Sequence, residues 1–305
     1  MTFRSTWHID PFPFQIAHGE KIVLMGSCFS NNIGSKLRYF GFDALVNPFG
    51  TLFHPLAIAE LFEPELIVKN LRLLERNNQW YCYDMHSAIS GNSKEELLER
   101  ISEQHQKIHA YLKESKLVVI TFGSAWGYYL NNQIVANCHK MPGNLFSKTL
   151  TELEHMAFVW KKRIAALKNC YPKLEIMFTV SPVRHTKDGI VENQWSKSRL
   201  IELVHQMDAS YFPSYEIQMD DLRDYRFYEA DMIHPNTVAI DYIFEKFAEV
   251  AIHEFARNSF SAIHKFRMFE QHKILGSLPK KESEHAYDIL ERKNALLNQN
   301  PHLCL

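Results

Sequence analysis

The sequence predicts an α/β fold in which a parallel β-sheet lies between helices. Two observations support this prediction. Short apolar runs rich in β-branched residues alternate at least four times with longer segments whose apolar residues recur every three or four positions. The first pattern is typical of buried strands, and the second is typical of amphipathic helices. Strands and helices that alternate in this way form a parallel sheet covered on both faces.

The first predicted strand ends at a turn that carries two potentially reactive side chains. An apolar run over residues 22–26 ends in glycine, and residues 29–40 carry apolar side chains at helical spacing. Ser27 and Cys28 lie between these two elements. In α/β proteins ligands bind where a strand ends beside a helix N-terminus, because backbone N–H groups there face negative charge. Ser27 and Cys28 are therefore candidate nucleophiles.

The remaining elements follow from the same two patterns. Further strands are predicted at residues 43–46, 117–122 and 174–180, with a poorer strand, broken by Pro213, at 211–219. Helices are predicted over residues 54–74 with an interruption near Pro64, 93–112, 151–168, 196–207, 235–251 and 282–298. Ser93 and Glu96 form a capping box, and Pro235 is placed to open its helix. Residues 131–147 have the composition of a loop.

These elements divide the chain into a domain and an extension. We predict one α/β domain over residues 1–257, with cap insertions near 52–92 and 124–148, and a helical extension over 258–305. The insertions would cover the sheet end and shape a substrate pocket. The helix in the extension either packs on the domain or joins a partner chain, so a homo-oligomer is one expectation.

Composition limits the partners of the protein. The chain has 305 residues, a formal net charge of −1 and a pI near 7.0, so no global field attracts a nucleic acid or an anionic membrane. No apolar run approaches the length of a membrane span, and the first eight residues lack the apolar core of a signal peptide. We therefore expect a cytoplasmic protein that binds neither nucleic acid nor membrane.

Cysteine and histidine spacing argues against disulfides and metals. The five cysteines are too few and too scattered for a disulfide framework or a paired-cysteine zinc site. The helical pair His105 and His109 encloses Gln106, where a metalloprotease helix carries glutamate. We expect reduced thiols and no metal site.

Acyl-ester hydrolysis requires a nucleophile, a base, a group that orients the base, and donors for the oxyanion. Cys28 or Ser27 is the candidate nucleophile, and His234 is the candidate base. Asp231 precedes His234 by three residues, a spacing that lets its carboxylate reach the ring N–H of the histidine. Backbone N–H groups near Cys28 and Gly50 could bind the oxyanion.

The motifs at the predicted strand ends resemble a known family. They are Gly26-Ser27-Cys28-Phe29-Ser30, Asn47-Pro48-Phe49-Gly50-Thr51, His86-Ser87, Thr121-Phe122-Gly123-Ser124-Ala125-Trp126, Asn137-Cys138-His139-Lys140, Ser181-Pro182-Val183-Arg184-His185 and Asp231-Met232-Ile233-His234-Pro235. Over about residues 20–252 this set resembles the GSCFA family within the SGNH (GDSL-like) hydrolase superfamily. The resemblance implies a three-layer α/β/α sandwich, similar to flavodoxin, with strand order 2-1-3-4-5 and an esterase-like site.

The resemblance also implies roles for the first and last motifs. It places the nucleophilic serine of the superfamily on Cys28, its acidic neighbour on Ser27, and the catalytic pair on Asp231 and His234. A thiolate suits thioesters and acyl transfer as well as ester hydrolysis. We expect the helix N-terminus to lower the pKa of the Cys28 thiol.

The middle motifs supply the other candidates for the oxyanion and the substrate. The resemblance places the oxyanion glycine on Gly50 and a Gly-x-Asn block on Gly123-Ser124-Ala125, which makes Gly123 a further oxyanion or substrate-binding candidate. Ala125 replaces the asparagine that would be the third oxyanion donor, and Asn137 is our candidate substitute. Further candidates for substrate contact lie in the same loops: His86, His139, Arg184 and His185. Arg184 would suit an anionic substrate group. Each of these residues also has a structural interpretation as a turn or packing residue.

The resulting hypothesis is an esterase, thioesterase or acyltransferase that acts on a small-molecule or carbohydrate acyl ester without a cofactor. An alternative is a degenerate binding module, which the missing asparagine at Ala125 favours. In that case Cys28 would be a packing residue and Ser27 only a helix cap. A flavodoxin-like cofactor binder is a third possibility, but no Gly-x-Gly-x-x-Gly loop follows the first strand.

Overall fold

The computed structural model describes residues 7–64, 70–271 and 279–305, with side chains from residue 285 onward in the last range. The strands are β1 (Lys21–Gly26), β2 (Asp43–Val46), β3 (Leu73–Arg76), β4 (Gln79–Cys82), β5 (Ser90–Gly91), β6 (Ser115–Phe122), β7 (Trp126–Leu130), β8 (Gln133–Val135), β9 (Ser147–Leu150), β10 (Glu175–Val180) and β11 (Ser210–Phe212). The helices are α1 (Cys28–Tyr39), α2 (Pro55–Glu60), α3 (Lys94–Glu114), α4 (Leu153–Cys170), α5 (Ile190–His205), α6 (Ser214–Glu216), α7 (Thr237–Ala251), α8 (Glu254–Arg257), α9 (Phe260–Gln271) and α10 (Pro279–Gln299).

The central sheet has five parallel strands in the order β2-β1-β6-β10-β11. Counted along the chain within this sheet, the order is 2-1-3-4-5. The predicted parallel sheet and its strand order are therefore confirmed. Because all five strands run in one direction, their carboxyl ends meet at one edge of the sheet.

Helices cover both faces of this sheet. Alternate residues of β1 point to opposite faces: Val23 and Met25 join one apolar core, while Ile22 and Leu24 join the other. The first core contains apolar residues of α2, α3, α4 and α5, and the second contains those of α1 and α7. This arrangement confirms the predicted three-layer α/β/α sandwich.

Trp160 anchors α4 in the first core. Its ring is fully buried and lies edge-on to Phe122 of β6 and Phe178 of β10, with centroid separations of 5.1 and 5.2 Å. Its indole N–H donates to the carbonyl oxygen of Pro55 at 3.1 Å, so burial leaves the polar atom paired. Truncation of such a residue typically costs about 3–5 kcal/mol of stability.

Two small antiparallel sheets occupy the predicted insertions. One has the order β3-β4-β5, and the other has the order β8-β7-β9. The prediction of a helix over residues 54–74 is wrong beyond Glu60, where α2 ends, because residues 73–76 pair with residues 79–82 in a hairpin. Its part over residues 65–69 lies outside the described residues. The loop predicted over 131–147 contains β8 and a 3₁₀ turn at Gly143–Leu145.

Three element boundaries also differ from the prediction. The fifth central strand ends at Phe212, and a helical turn at Ser214–Glu216 and a π-helical turn at Ile217–Asp221 follow, because Pro213 cannot donate to the sheet. Helix α5 begins at Ile190, six residues before its predicted start. Pro235 lies before the helix cap: Asn236 accepts a hydrogen bond from the N–H of Ala239 and caps α7.

The capping box of α3 is present in a slightly different form. The Ser93 hydroxyl accepts the N–H of Glu96 at 3.1 Å, and the Glu96 carboxylate accepts the N–H of Asn92 at 2.7 Å.

At the end of the chain, Leu303 is buried against Gly41, and the N–H of Cys304 donates to the Gly41 carbonyl at 2.9 Å. Among the described residues, no helix combines the length and apolarity that crossing a membrane demands.

Candidate active site

The turn after β1 is held by both neighbouring strands. Gly26 has a φ of +132°, and a Cβ at this position would lie 2.1 Å from the carbonyl oxygen of Thr121 on β6, so only glycine fits. The N–H of Gly26 donates to Asn47 Oδ1 at 2.8 Å, and the N–H of Ser27 donates to the Thr121 carbonyl at 3.1 Å. These bonds fix the start of α1 at the carboxyl edge of the sheet.

Ser27 and Cys28 have different environments at this turn. Ser27 is fully buried, and its hydroxyl accepts the N–H of Phe29 at 3.2 Å as the N-cap of α1. Cys28 is the first residue of α1 and is partly exposed. Of the two candidate nucleophiles, Cys28 is thus the one that solvent reaches.

Burial raises the pKa of the Cys28 thiol above its usual range. The N–H groups of Cys28 and Phe29 and the Lys197 ammonium oppose this effect, whereas the Asp231 carboxylate adds to it. The expectation of a lowered pKa is therefore wrong, because desolvation of the thiolate outweighs the helix N-terminus. At neutral pH the sulfur carries its proton and requires a base to become a nucleophile.

Asp231 and His234 form a hydrogen-bonded pair. Asp231 Oδ2 lies 2.7 Å from His234 Nδ1, and Asp231 Oδ1 accepts the backbone N–H groups of His234 and Ile233 at 3.0 and 2.9 Å. These hydrogen bonds lower the pKa of Asp231 to about 2, and the bond from the backbone N–H of His234 contributes most. Because an ionised carboxylate only accepts hydrogen bonds, Nδ1 of His234 donates to Asp231, and in the neutral form of the ring the lone pair lies on Nε2. Both side chains are about half exposed.

Arg184 holds the loop that carries this pair. Its backbone N–H donates to the carbonyl oxygen of Ile233 at 3.1 Å, and its Nη1 donates to that of Met232 at 3.2 Å. The guanidinium lies over the rings of Tyr225 and Tyr228, 5.8 and 5.4 Å from their centroids. Arg184 therefore connects the end of β10 to the histidine loop.

His185 lies next to this pair. Burial lowers the pKa of His185 to about 3, and electrostatic interactions with Lys197 and His234 contribute to this shift. Its ring packs edge-on against Phe53 at 5.3 Å. The buried Nε2 has no hydrogen-bond partner among the described residues. The ring is therefore neutral and presents an unpaired nitrogen.

Electrostatic interactions link these groups into one cluster. Cys28 interacts with Asp231 and Lys197, and His185 interacts with Lys197 and His234. Their elements all lie at the carboxyl edge of the central sheet: the turn after β1, the loop after β10, α5, and the loop before α7. The turn after β1 and the loop before α7 therefore lie at the same edge of the sheet.

The two glycines proposed as oxyanion donors use their N–H groups elsewhere. The N–H of Gly50 donates to the carbonyl of Asn47 at 2.8 Å, and that of Gly123 donates to the carbonyl of Phe53 at 2.8 Å. Gly50 has a φ of +80°, and a Cβ there would lie 2.4 Å from the Cβ of His86. Gly50 and His86 thus pack closely, and burial lowers the pKa of His86.

His139 and Asn137 have structural contacts within the insertions. His139 is buried, its Nδ1 lies 3.0 Å from Ser87 Oγ, and its Nε2 lies 2.8 Å from the carbonyl oxygen of Cys82. Asn137 Oδ1 accepts the N–H of His139 at 2.7 Å. The electrostatic interactions that link the Cys28 cluster do not include these two residues.

Two residues at the site were given no role from the sequence: Asn47, although it begins one of the motifs named above, and Lys197, which lies in none of them. The Asn47 side chain accepts from Gly26 and donates to Asn31 Oδ1 at 2.9 Å, so it ties the turn after β2 to the start of α1. Lys197 lies on α5 with only 1% of its surface exposed. The sequence marks Lys197 only as one charge within a predicted helix, and most lysines in that position face water.

The pair His105 and His109 does not form part of a larger cluster. Both Nε2 atoms lie near the carbonyl oxygen of Glu63, at 2.9 and 3.0 Å. Within the described ranges, no three histidine, cysteine, aspartate or glutamate side chains are arranged to hold a metal ion.

Comparison with known proteins gives one family match for this chain. The model of the GSCFA family matches residues 21–247. No curated protein matches the sequence. Similar solved structures include a carbohydrate esterase family 2 enzyme with a carbohydrate-binding domain from Corynascus thermopiles (Myceliophthora fergusii), with 11% identity, a TM-score of 0.41, and coverage of 83% of this chain and 69% of that one.

Two further structures have similar scores. A carbohydrate esterase family 3 protein from Talaromyces cellulolyticus has 10% identity and a TM-score of 0.36, with coverage of 81% of this chain and 99% of that one. A lipase/acylhydrolase from Enterococcus faecalis has 11% identity and a TM-score of 0.37, with coverage of 79% of this chain and 96% of that one.

Proposed function

Since the chain belongs to the GSCFA family and clusters a cysteine with an Asp-His pair, we propose that it hydrolyses or transfers the acyl group of a small ester or thioester. The observation that carries this proposal is the environment of Cys28. The partly exposed thiol begins a helix and interacts electrostatically with Asp231, whose partner His234 keeps a free ring nitrogen.

The proposed reaction has two half-reactions. His234 Nε2 takes the proton of the Cys28 thiol, and the sulfur forms a bond to the acyl carbon. The tetrahedral intermediate then expels the alcohol or thiol, which takes the proton from His234. Water, or an acceptor alcohol in a transferase, attacks the resulting thioester with the same histidine as base, and Cys28 leaves with its proton restored.

The shifted pKa values support a mechanism with a general base. The thiol pKa is raised by burial, so the nucleophile has to be generated during the reaction. Asp231 is ionised at neutral pH and orients the His234 ring through Nδ1, which directs Nε2 away from the carboxylate. A positioned base of this kind contributes about 10²–10⁴-fold to the rate.

The start of α1 supports the oxyanion. The helix N-terminus carries a partial positive charge and N–H groups without partners inside the helix. We assign this role to the N–H of Cys28 together with the helix dipole, because the N–H groups of Gly50 and Gly123 already donate to carbonyls. The substrate we propose is a small-molecule or carbohydrate acyl ester.

The N–H groups of Gly50 and Gly123, which already donate to carbonyl oxygens, favour a second candidate function. A site whose expected oxyanion donors are occupied, and which has Ala125 in place of an asparagine, could bind a ligand without reacting with it. This second candidate is a degenerate binding module. It predicts ligand binding with an inert Cys28.

The test compares hydrolysis of short-chain p-nitrophenyl esters and thioesters by four proteins. We expect activity in the wild-type chain and its loss in Cys28→Ala and His234→Ala. His8→Ala is the matched control, because His8 is an exposed histidine 3.5 Å from an aspartate, far along the chain from this cluster. Equal rates in all four proteins would eliminate the proposed reaction, and inactivity of the wild-type chain with slow iodoacetamide labelling of Cys28 would favour the binding module.

A further inference from the structure

Lys197 is a buried lysine with uncharged hydrogen-bond partners. It is 1% exposed, and its Nζ donates to the carbonyl oxygens of Gly123 at 2.9 Å and Ser181 at 2.7 Å. These carbonyls follow the ends of β6 and β10. Buried lysines are rare unless a charged group pairs with them, since burial of an ammonium ion is costly.

Lys197 faces several ionisable groups from the surrounding elements. Cys28 comes from α1 and Glu216 from α6, and both interact with its charge, as does His185 from the loop after β10. The ring of Tyr215 lies 5.3 Å from Nζ. Burial lowers the pKa of Lys197 to about 7, while the negative charges of Cys28 and Glu216 oppose this shift.

The sheet places Lys197 close to the turn that bears Cys28. Strand β6 lies between β1 and β10, and the N–H of Ser27 bonds to Thr121, two residues before Gly123. The Lys197 ammonium lowers the pKa of Cys28, and the Cys28 thiolate raises the pKa of Lys197. The charge of each group therefore favours the ionised form of the other.

We propose that Lys197 is a positioning residue for the reaction proposed above: fixed on the ends of two strands, its buried ammonium stabilises the Cys28 thiolate. Two of the three ammonium N–H groups of Lys197 donate to carbonyls, so the ammonium form keeps a third N–H for a negative charge. When His234 removes the thiol proton, the new anion forms beside a cation that water does not screen. A purely structural bridge between the two strand ends would not require this charge.

The test measures the ionisation of Cys28 directly. Wild-type, Lys197→Met and Lys197→Gln proteins react with iodoacetamide between pH 6 and 10, and mass spectrometry of the Cys28 peptide gives the rate. We expect both variants to lower the labelling rate of Cys28 about tenfold at pH 6, where Lys197 carries its charge, and to leave the rate at pH 10 unchanged, where Lys197 is neutral. Glutamine keeps two N–H donors without the charge, so it separates charge from bridging.

Two controls isolate the effect. Lys168→Met removes an exposed lysine that bonds to Asp208, and it should leave the Cys28 profile unchanged. Cys170 is exposed and serves as an internal reference for reagent reactivity in every sample. Coincident Cys28 profiles in the wild-type, Lys197→Met and Lys197→Gln proteins would overturn the proposal.

A third protein keeps the proposal testable if the Lys197 variants do not fold. The variant His234→Ala keeps Lys197. As Lys197 loses its charge near pH 7, the reactivity of Cys28 in this variant should still show an inflection. Its absence would overturn the proposal. Because alkylation needs no ester substrate, an inactive enzyme with shifted profiles would contradict only the proposed reaction, whereas an active enzyme with unshifted profiles would contradict only the role of Lys197.

Discussion

Asp231 Oδ2 lies 2.7 Å from Nδ1 of His234, while the other oxygen of the same carboxylate accepts the backbone N–H of His234. One short turn therefore sets both the ring orientation and the tautomer of the histidine. The contacts of Arg184 with the carbonyls of Met232 and Ile233 attach this turn to the central sheet. The orientation of the His234 ring thus depends on local hydrogen bonds and on Arg184, which follows the end of β10.

Replacement of Asp231 by asparagine should abolish the proposed acyl-ester hydrolysis without unfolding the protein. The amide can donate to Nδ1, which would move the ring proton to Nε2 and leave no acceptor for the thiol proton. In a serine-protease triad the equivalent change lowers kcat about 10⁴-fold, so we expect a loss of about 100-fold or more, mainly in kcat. Ester hydrolysis kinetics with Asp10→Asn as control test this, and a kcat within threefold of the wild type would contradict the role of Asp231.

Replacement of Ser27 by alanine should affect stability more than chemistry. The change removes the N-cap bond to the Phe29 N–H, which costs about 1 kcal/mol of unfolding free energy. Cys28 should still react with iodoacetamide, because Ser27 is buried and acts as a cap. Urea denaturation and peptide labelling measure the two effects. If Ser27→Ala abolished ester hydrolysis while Cys28→Ala retained it, the assigned nucleophile would be wrong.

Two glycine substitutions should have opposite outcomes. Gly26→Ala places a Cβ 2.1 Å from the Thr121 carbonyl at a φ of +132°, and we expect a loss of more than about 3 kcal/mol or no soluble protein. Gly143→Ala is the matched control, because a Cβ there meets no atom within 4 Å. It should change the unfolding free energy by less than about 0.5 kcal/mol. Thermal unfolding of both variants tests this, and a stable Gly26→Ala protein would contradict the described turn.

His54 should make the fold sensitive to acid. Its Nδ1 accepts the Leu56 N–H, its Nε2 lies 2.8 Å from Thr151 Oγ1, and burial lowers the pKa of His54 to about 3. The unfolded chain, with a histidine pKa near 6.5, binds this proton more readily, so stability falls as pH decreases from about 6.5 towards 3.

A substitution at His54 isolates this effect. Each such histidine contributes a slope of about 1.4 kcal/mol per pH unit. His54→Asn keeps a residue that can cap α2 and should reduce the slope of stability between pH 4.5 and 6 by that amount. Urea denaturation at several pH values measures the slope, and parallel curves for the two proteins would show that His54 is not the source.

Local patterns in the sequence predicted much of the scaffold. The apolar run at residues 22–26 and the helical spacing that follows it predicted β1 and α1, and the capping box predicted the start of α3. These predictions succeed because strand and helix periodicity and cap chemistry depend on neighbours within a few residues. The end motifs also carried the family resemblance, which the match over residues 21–247 confirms.

Local patterns failed where long-range packing determines the structure. The apolar residues near 71–74 have helical spacing, but pairing with Gln79–Cys82 makes residues 73–76 a strand. The N–H of Gly50 donates to the carbonyl oxygen of Asn47, and no spacing in the sequence indicates this hydrogen bond.

The sequence by itself therefore determined the layered α/β sheet, its strand order through the family resemblance, and the residues of the Cys28, Asp231 and His234 motifs. Only the tertiary structure decided that Ser27 is buried while Cys28 is partly exposed, that the thiol pKa is raised, and that Lys197 lies within the protein. The physical reason is that burial and electrostatic coupling depend on atoms from β6, β10 and α5, which are far from the turn along the chain and near it only after folding.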